Sequence, residues 1–558
     1  MQKQLFILLP AASLIMLSSC SKLGALSADN FKVEPTPLET QGSQVPATIN
    51  GMFPEKYMKR KAVVSVTPEL RYGNGKVARG NSATFQGEKV LGNDQTISYA
   101  LGGHYTMKTS FAYTPEMQTS DLYLTFNARM GKKQVEIPAV KVGYGVIATS
   151  QLYRRTVAQS QACLAPDSFK RVVEQKQDAN IKFLIQQAQL RKSELKNNSV
   201  GEFVSLLKKI NKDHEGYNIN SVQVNAYASP DGGVKLNDKL ANQRQKNSEK
   251  YVRQQLKSTK TDAPVDAAYT AQDWDGFQEL VSASNIQDKD VILRVLSMYK
   301  DPQEREQQIK NMSAGFRELA DGILPQLRRA RLTINYETIG RDDDQIKQQY
   351  QADPSKLSLE EMLYSATLTD DAAQQQSIYE KTAEMYPNDC RAYNNLATLA
   401  YQRGDYSAAR SYIQKAQAIN PKNAESFANL GMLALQQGDV DTAEGYISKA
   451  AGANNLDEAL GNLHLAQGQY ALACQDFRHI DTNSAALAQI LNKDYAKAAS
   501  TLKNVAHPNG TTDYLQAILN ARQGSRDAAA ASLRSALQKD PSLQSYAARD
   551  LELSNVNK

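Results

Sequence analysis

The chain has 558 residues, 41% of them hydrophobic, and 65 Lys and Arg against 59 Asp and Glu give a formal net charge of +6. That length suffices for about three or four domains, and so mild an imbalance does not point to nucleic acid. Beyond the amino-terminal segment no apolar run approaches the roughly 18 residues of a membrane-spanning helix. The four cysteines, Cys20, Cys163, Cys390 and Cys474, are too widely spaced for a disulfide framework. The five histidines show no metal-ligand spacing, so no metal and no cofactor is expected.

Lys3, the apolar run Leu5–Leu17 and the small residues before Cys20 read as a secretory signal peptide over residues 1–19. The string Leu17-Ser18-Ser19-Cys20 resembles a bacterial lipobox. That resemblance implies cleavage before Cys20, acylation of Cys20, and an exported protein anchored to a membrane by lipid rather than spanning it. Residues 20–51 are rich in Ser, Pro, Thr, Gln and Gly, with Pro35, Pro37 and Pro46 among them, and read as a flexible tether. Ser21-Lys22-Leu23-Gly24 carries no acidic run. In Bacteroidetes-type lipoproteins an acidic run there marks surface export; by that resemblance the anchor lies in the outer membrane and faces the periplasm.

Residues 52–156 predict an all-β sandwich. Ala62–Pro68, Thr96–Leu101, His104–Thr114, Asp121–Ala128 and Val135–Gly145 are strand-like, with turn signals at Gly73-Asn74-Gly75, Gly102-Gly103 and Gly131-Lys132. Many short strands separated by such turns fit a sandwich. Nothing in this stretch resembles a catalytic set. It either spaces the rest from the membrane or binds a neighbour.

Residues 165–340 predict an α/β module. Asn180–Ile185 is strand-like; Phe203, Leu206, Leu207 and Ile210 have helical spacing. Ser221–Ala228 is a strand that turns at Pro230-Asp231-Gly232. Asn237, Leu240, Ala241 and Arg244 open a helix, and Gln326–Tyr336 reads as a basic turn into a closing strand. This order resembles the OmpA-like domain, with an insert around Trp274–Phe277 and Asp301-Pro302 like that of a divergent Bacteroidetes branch. The resemblance covers about 160 residues and implies peptidoglycan binding. In that family an aspartate after the strand and an arginine in the next helix clamp the charged end of the stem peptide. Arg244 matches the arginine. The aspartate's position holds Ser229, so the clamp would fall to Asp231 two residues on, with Asn237 in the same signature. The alternative is a scaffold in which Arg244 makes a helix ion pair. Residues 341–356, with Arg341-Asp342-Asp343-Asp344, read as a solvated linker.

From 357 to 551 the chain repeats. Gly404 and Gly438, Tyr393 and Phe427, Ala409 and Ala443, Ala416 and Ala450, and Pro387 and Pro421 are each 34 residues apart. That period resembles the tetratricopeptide repeat (TPR). About five or six units are expected, some shortened, stacked as an all-α solenoid with a concave face. By resemblance, first-helix residues line that face: Asn394, Thr398 and Tyr401 in one unit, Ala428, Met432 and Leu435 in the next. A mixed surface of this kind suits an extended peptide or a partner helix.

The sequence therefore predicts a multidomain, non-catalytic envelope lipoprotein, since no nucleophile–base pair or clustered motif stands out. Its expected role is a scaffold, gripping protein partners with the repeats and contacting the wall or another envelope component with the α/β module. The alternative is an anchor joining outer membrane to peptidoglycan.

Overall fold

The computed structural model describes residues 23–286, 288–311 and 317–556. The expected signal peptide and Cys20 lie outside the described residues. The chain divides into two compact units: one takes the chain up to Asp167 and again from Thr369, the other is Ser168–Leu368.

The amino-terminal part of the first unit is β-rich. One sheet has the order β1 (Phe31–Glu34), β3 (Gln44–Phe53), β8 (Gly103–Ala112), all antiparallel. The larger sheet runs β10 (Lys133–Val135), β9 (Ser120–Met130), β4 (Ala62–Tyr72), β6 (Ala83–Gly87), β7 (Gln95–Ile97). In it β5 (Lys76–Arg79) pairs β4 and β11 (Val140–Tyr144) pairs β9. A short parallel pair joins β2 (Leu38–Glu39) to β12 (Val146–Ile147). Both large sheets feed one core, with Val45, Ile49, Phe53 and Phe111 from the first and Val64, Leu70, Phe85, Leu122 and Leu124 from the second. Strands β3 and β8 bury alternate residues, as a sheet with one face on a core must.

The tether expected over residues 20–51 is instead folded into this region from Leu23 onward. Leu23, Leu26, Phe31 and Val33 are buried, and β3 is the middle strand of its sheet. The Pro, Ser and Gln content hid the period-two run Val45, Ala47, Ile49, Gly51, Phe53 within β3. Pro35 and Pro37 fall between β1 and β2, where no ladder bond is required of them. After β12 the chain leaves the sheets through a short helix, α1 (Tyr153–Val157), and then runs without regular structure to residue 170.

The second unit is an α/β layer. Its elements are β13 (Val172–Lys182), α2 (Asn198–Lys212), β14 (Tyr217–Tyr227), α3 (Val234–Thr259), β15 (Val265–Thr270) and β16 (Arg329–Ile339), with sheet order β13–β16–β14–β15. Strands β14 and β15 are parallel and joined through α3; β16 is antiparallel to both its neighbours. Helix α2 buries Val200, Phe203, Leu207 and Ile210 against the sheet, and Asn197 caps it by accepting from the Val200 N–H. The insert before β16 holds α4 (Trp274–Ala283), α5 (Lys289–Met298), α6 (Pro302–Asn311) and α7 (Leu324–Leu327). Its own small core contains Phe277, Val281, Ile292 and Leu327. The stretch 341–356, expected as a linker, is mostly helix α8 (Asp343–Ala352). The acidic run is its capping box: Asp342 accepts from the Gln345 N–H at 2.8 Å and the Gln345 side chain accepts from the Asp342 N–H at 2.9 Å. Helix α9 (Leu359–Ser365) closes the unit, and Tyr364 stacks on Phe169 with ring centroids 4.5 Å apart, so the two ends of this unit meet. Residues 357–368, the opening of the stretch expected to repeat from 357 onward, belong here.

The first unit resumes as a helical repeat array. After α10 (Ala372–Met385) come five pairs: α11 (Arg391–Gln402) with α12 (Tyr406–Ile419), α13 (Ala424–Gln437) with α14 (Val440–Ile447), α15 (Leu456–Ala466) with α16 (Tyr470–Asp476), α17 (Asn483–Leu491) with α18 (Tyr495–Asn504), and α19 (Gly510–Arg522) with α20 (Arg526–Lys539). A last short helix, α21, is Gln544–Ala547. A Gly-Asp step explains the sharp turn in the first two pairs. Gly404 and Gly438 adopt φ of +77° and +86° to end one helix. Asp405 and Asp439 then cap the next by accepting from the Ala408 and Thr442 N–H groups. Ala409 and Ala443, with Ile413 and Ile447, are buried between the paired helices.

Candidate functional site

The first helices of the repeat pairs carry polar side chains at equivalent positions. Asn395 on α11 and Asn429 on α13 are 34 residues apart, one repeat period. Both are buried, and both are spent on the chain's own backbone. The segment that leaves the β-rich region, residues 148–167, lies along these first helices and meets them in descending order.

Its start is held at the carboxy-terminal end of the array. The Tyr546 hydroxyl donates to the Ala148 carbonyl at 3.0 Å, and Arg155 pairs with Asp540 at 2.6 Å. Gln159 then donates to Thr511 of α19 and accepts from Asn483 of α17. Ser160 receives the amide of Asn462 of α15 at 3.1 Å. From here the backbone is read at every second residue. The Gln161 N–H donates to Glu458 of α15 at 3.1 Å, the Cys163 N–H to Asn429 Oδ1 at 2.7 Å, and the Ala165 N–H to Asn395 Oδ1 at 2.7 Å. Asn395 Nδ2 returns a bond to the Ala165 carbonyl at 3.1 Å, so one amide side chain satisfies both main-chain groups of that residue. The Cys163 carbonyl accepts from Asn429, Asn394 and Thr398. Arg391 of α11 closes the series on the Asp167 carbonyl.

Asn394, Thr398 and Tyr401, predicted to line the concave face, all touch this segment; the Tyr401 hydroxyl donates to the Val157 carbonyl at 2.6 Å. Met432 and Leu435, together with Ala428, share one buried cluster with Leu152, Tyr153, Val157, Ala162 and Cys163. These positions are therefore interior. Asn395, Asn429 and Glu458 escaped the sequence reading, although the 34-residue period already placed the two asparagines in register. The segment itself carried no signal beyond its small residues, Ala162, Cys163 and Ala165.

Burial tunes two titratable groups here. The Glu458 carboxyl is pushed up to about 7 by desolvation, with the Gln161 N–H and Ser160 pulling the other way. The Cys163 thiol is pushed up to about 12, first by burial and then by Glu458 and Glu425, which leaves it unreactive while enclosed. A buried arginine ties the β-rich region to the end of the chain: Arg522 of α19 pairs with Glu552 at 2.7 Å and with Glu39 of β2.

In the α/β unit the structure places Arg244, Asn237, Ser229 and Asp231 close together at the β14–α3 turn. Arg244 is 1% exposed. Its guanidinium donates to the carbonyls of Tyr227 at 2.9 Å, Gln187 at 3.0 Å and Leu184 at 3.3 Å, and lies over the Phe183 ring. Burial, then Arg328, pushes it down to about 10, with Asp231 opposing. Asp231 pairs with Arg328 at 3.0 Å and accepts from the Ser229 hydroxyl. Asn237 donates to the carbonyls of Ser229 and Gly232, holding the turn in shape. The helix ion pair foreseen for Arg244 is replaced by three carbonyl contacts. Among the described residues no group of three His, Cys, Asp or Glu is placed to hold a metal ion, and no helix is long and apolar enough to cross a membrane.

Residues 372–424 and 394–458 match the tetratricopeptide repeat family. No curated protein matches the chain. Among solved structures, a tetratricopeptide repeat protein from Parabacteroides merdae is 13% identical, covering 45% of this chain and 98% of its own, with a TM-score of 0.27. PilW, a type IV pilus biogenesis factor, is 18% identical over 35% of this chain and 97% of its own, TM-score 0.25. YrrB, described as a TPR protein with an unusual peptide-binding site, is 17% identical over 36% and 94%, TM-score 0.21. At such scores these likenesses bear no functional weight.

Proposed function

We propose that the protein is a non-catalytic scaffold of the bacterial cell envelope, anchored by lipid on Cys20 in the outer membrane, facing the periplasm, and holding protein partners. The observation that carries this reading is the array's grip on polypeptide: first-helix side chains take an extended main chain at alternate residues, through Glu458, Asn429 and Asn395. Tetratricopeptide arrays serve protein–protein interaction, which supports a partner that is itself a protein. A photoreactive side chain at exposed Leu472 on α16, and at other exposed array positions, tests this in cells. A discrete adduct with an envelope protein is expected, and its absence at every position tried would sink the reading. For the anchor, Cys20→Ser should move the protein from the membrane to the soluble fraction; a variant that stays with the membrane contradicts it.

The anchoring alternative asks Arg244 and Asp231 to clamp a stem peptide, yet both are engaged inside the fold. That favours contact between this unit and a protein neighbour. Co-sedimentation of the protein with peptidoglycan sacculi separates the two: no specific pelleting is expected, and pelleting abolished by Asp231→Asn would restore the anchor.

A further inference from the structure

The first helices of the array already hold a peptide. Residues 158–167, Ala158-Gln159-Ser160-Gln161-Ala162-Cys163-Leu164-Ala165-Pro166-Asp167, have no regular structure, and side chains of the array take the place of a neighbouring strand. From Gln161 to Ala165 the recognition is of main chain, which sets little requirement on sequence beyond small size, while the Gln159 and Ser160 side chains are held by the array as well. Ser160, Ala162, Cys163 and Ala165 are buried, and all are small; Gln159, Gln161 and Pro166 remain exposed.

The groove offers more than this occupant uses. Asn462 and Asn483, which hold Ser160 and Gln159 through their amide nitrogens, have buried Oδ1 atoms that accept no hydrogen bond. Unmet acceptors of this kind favour any arrangement that supplies donors. A cleft of about 560 Å³ with a mixed lining runs beside the segment, lined by Gln159, Gln161, Glu458, His479, Asn483 and His507 among others. The resident is thus a peptide whose buried residues are small, bound largely through its backbone, with an open cleft beside it.

We propose that residues 158–167 are a self-ligand that latches the array's peptide site shut, and that an extended, small-side-chain segment of a protein partner occupies the same site once the latch is released. This rests on the scaffold reading and specifies its ligand and its control. Covalent continuity gives the resident segment an effective concentration on the order of millimolar. A competing peptide at micromolar concentration is therefore excluded from the unaltered chain and admitted only where the latch is weakened.

The test uses the full chain and a fluorescein-labelled peptide with the sequence of residues 158–167. Ala162→Arg with Ala165→Arg spoils the latch and leaves the groove residues intact. The peptide should bind this variant at least tenfold more tightly than the unaltered chain, and adding Asn395→Ala and Asn429→Ala should abolish the gain. Equal binding to both chains would mean that the groove is open. Binding to neither would mean that the segment is core rather than ligand, while leaving partner capture by other surfaces to the crosslinking result. Should the variant fail to fold, Cys163 serves as reporter in a chain whose other cysteines are serine. A latch predicts thiol labelling at least tenfold faster than global unfolding allows, with a shallow dependence on denaturant. Labelling only at the rate of global unfolding overturns the proposal.

Discussion

Glu458 illustrates how one buried side chain makes stability depend on pH. Its carboxyl lies at about 7 in the folded chain, against a reference of 4.5. Between those values the folded state keeps a proton that the unfolded state has lost, so the free energy of unfolding falls as pH rises through that window. Asp550, raised to about 6, acts in the same direction. The first unit should therefore be more stable near pH 5 than near pH 8, and Glu458→Gln should recover up to roughly 3 kcal/mol of the difference. Denaturant titrations at the two pH values check this; a variant with an unchanged pH slope contradicts it. Arg244 makes a second case. Arg244→Ala strands three carbonyls and should cost the α/β unit roughly 3 kcal/mol. Arg244→Lys should rescue only part of that, because an ammonium lacks the planar fork that reaches all three. Equal unfolding midpoints for the unaltered and Ala proteins would refute this assignment. The sequence made Arg244 visible through its motif, but not what it bonds, because those carbonyls come from residues 184, 187 and 227, brought together only by the fold.

At the scale of elements, the repeat period was the clearest signal in the chain, since the Gly-Asp step at 404–405, at once a helix stop and a helix start, returns 34 residues on at 438–439. Two glycines separate backbone from packing effects. Gly404 has φ of +77° with open space around a notional Cβ, whereas the notional Cβ of Gly431 would lie 2.4 Å from Ile447 Cγ1. Gly404→Ala should cost about 1 kcal/mol from backbone strain alone. Gly431→Ala should cost more, about 1–3 kcal/mol, because the paired helices must move apart. Thermal unfolding of both variants tests the order, and a larger loss at Gly404 would contradict the packing account. Strand β3 and helix α8 were hidden for an opposite reason to the repeats. Proline and polar residues in the first, and a run of aspartates in the second, have the composition of linkers, while what decides their structure is periodicity in one and capping geometry in the other.

For the whole molecule, sequence order and compact units differ. Three kinds of structure follow one another along the chain, yet the β-rich region and the helical array form one unit, and the α/β unit is inserted between Asp167 and Thr369. Reading segments in order could not reveal this, because the ties that make it so, Glu39 to Arg522 and residues 148–167 to five successive first helices, span hundreds of residues. Since Phe169 and Tyr364 stack at the two ends of the insert, replacing residues 168–368 by a short Gly-Ser linker should leave the first unit folded, with its Cys163 thiol still shielded. Free labelling of Cys163 in that shortened chain would refute the division into units. The first helices of the array hold the chain's own segment, read largely through its backbone. Hydrogen exchange across residues 158–167 in the full-length protein tests it most directly. Protection is predicted at the amides of Gln161, Cys163 and Ala165, and Asn429→Ala with Asn395→Ala should remove it at Cys163 and Ala165. Exchange at the rate of an unstructured peptide in the unaltered protein would contradict the account.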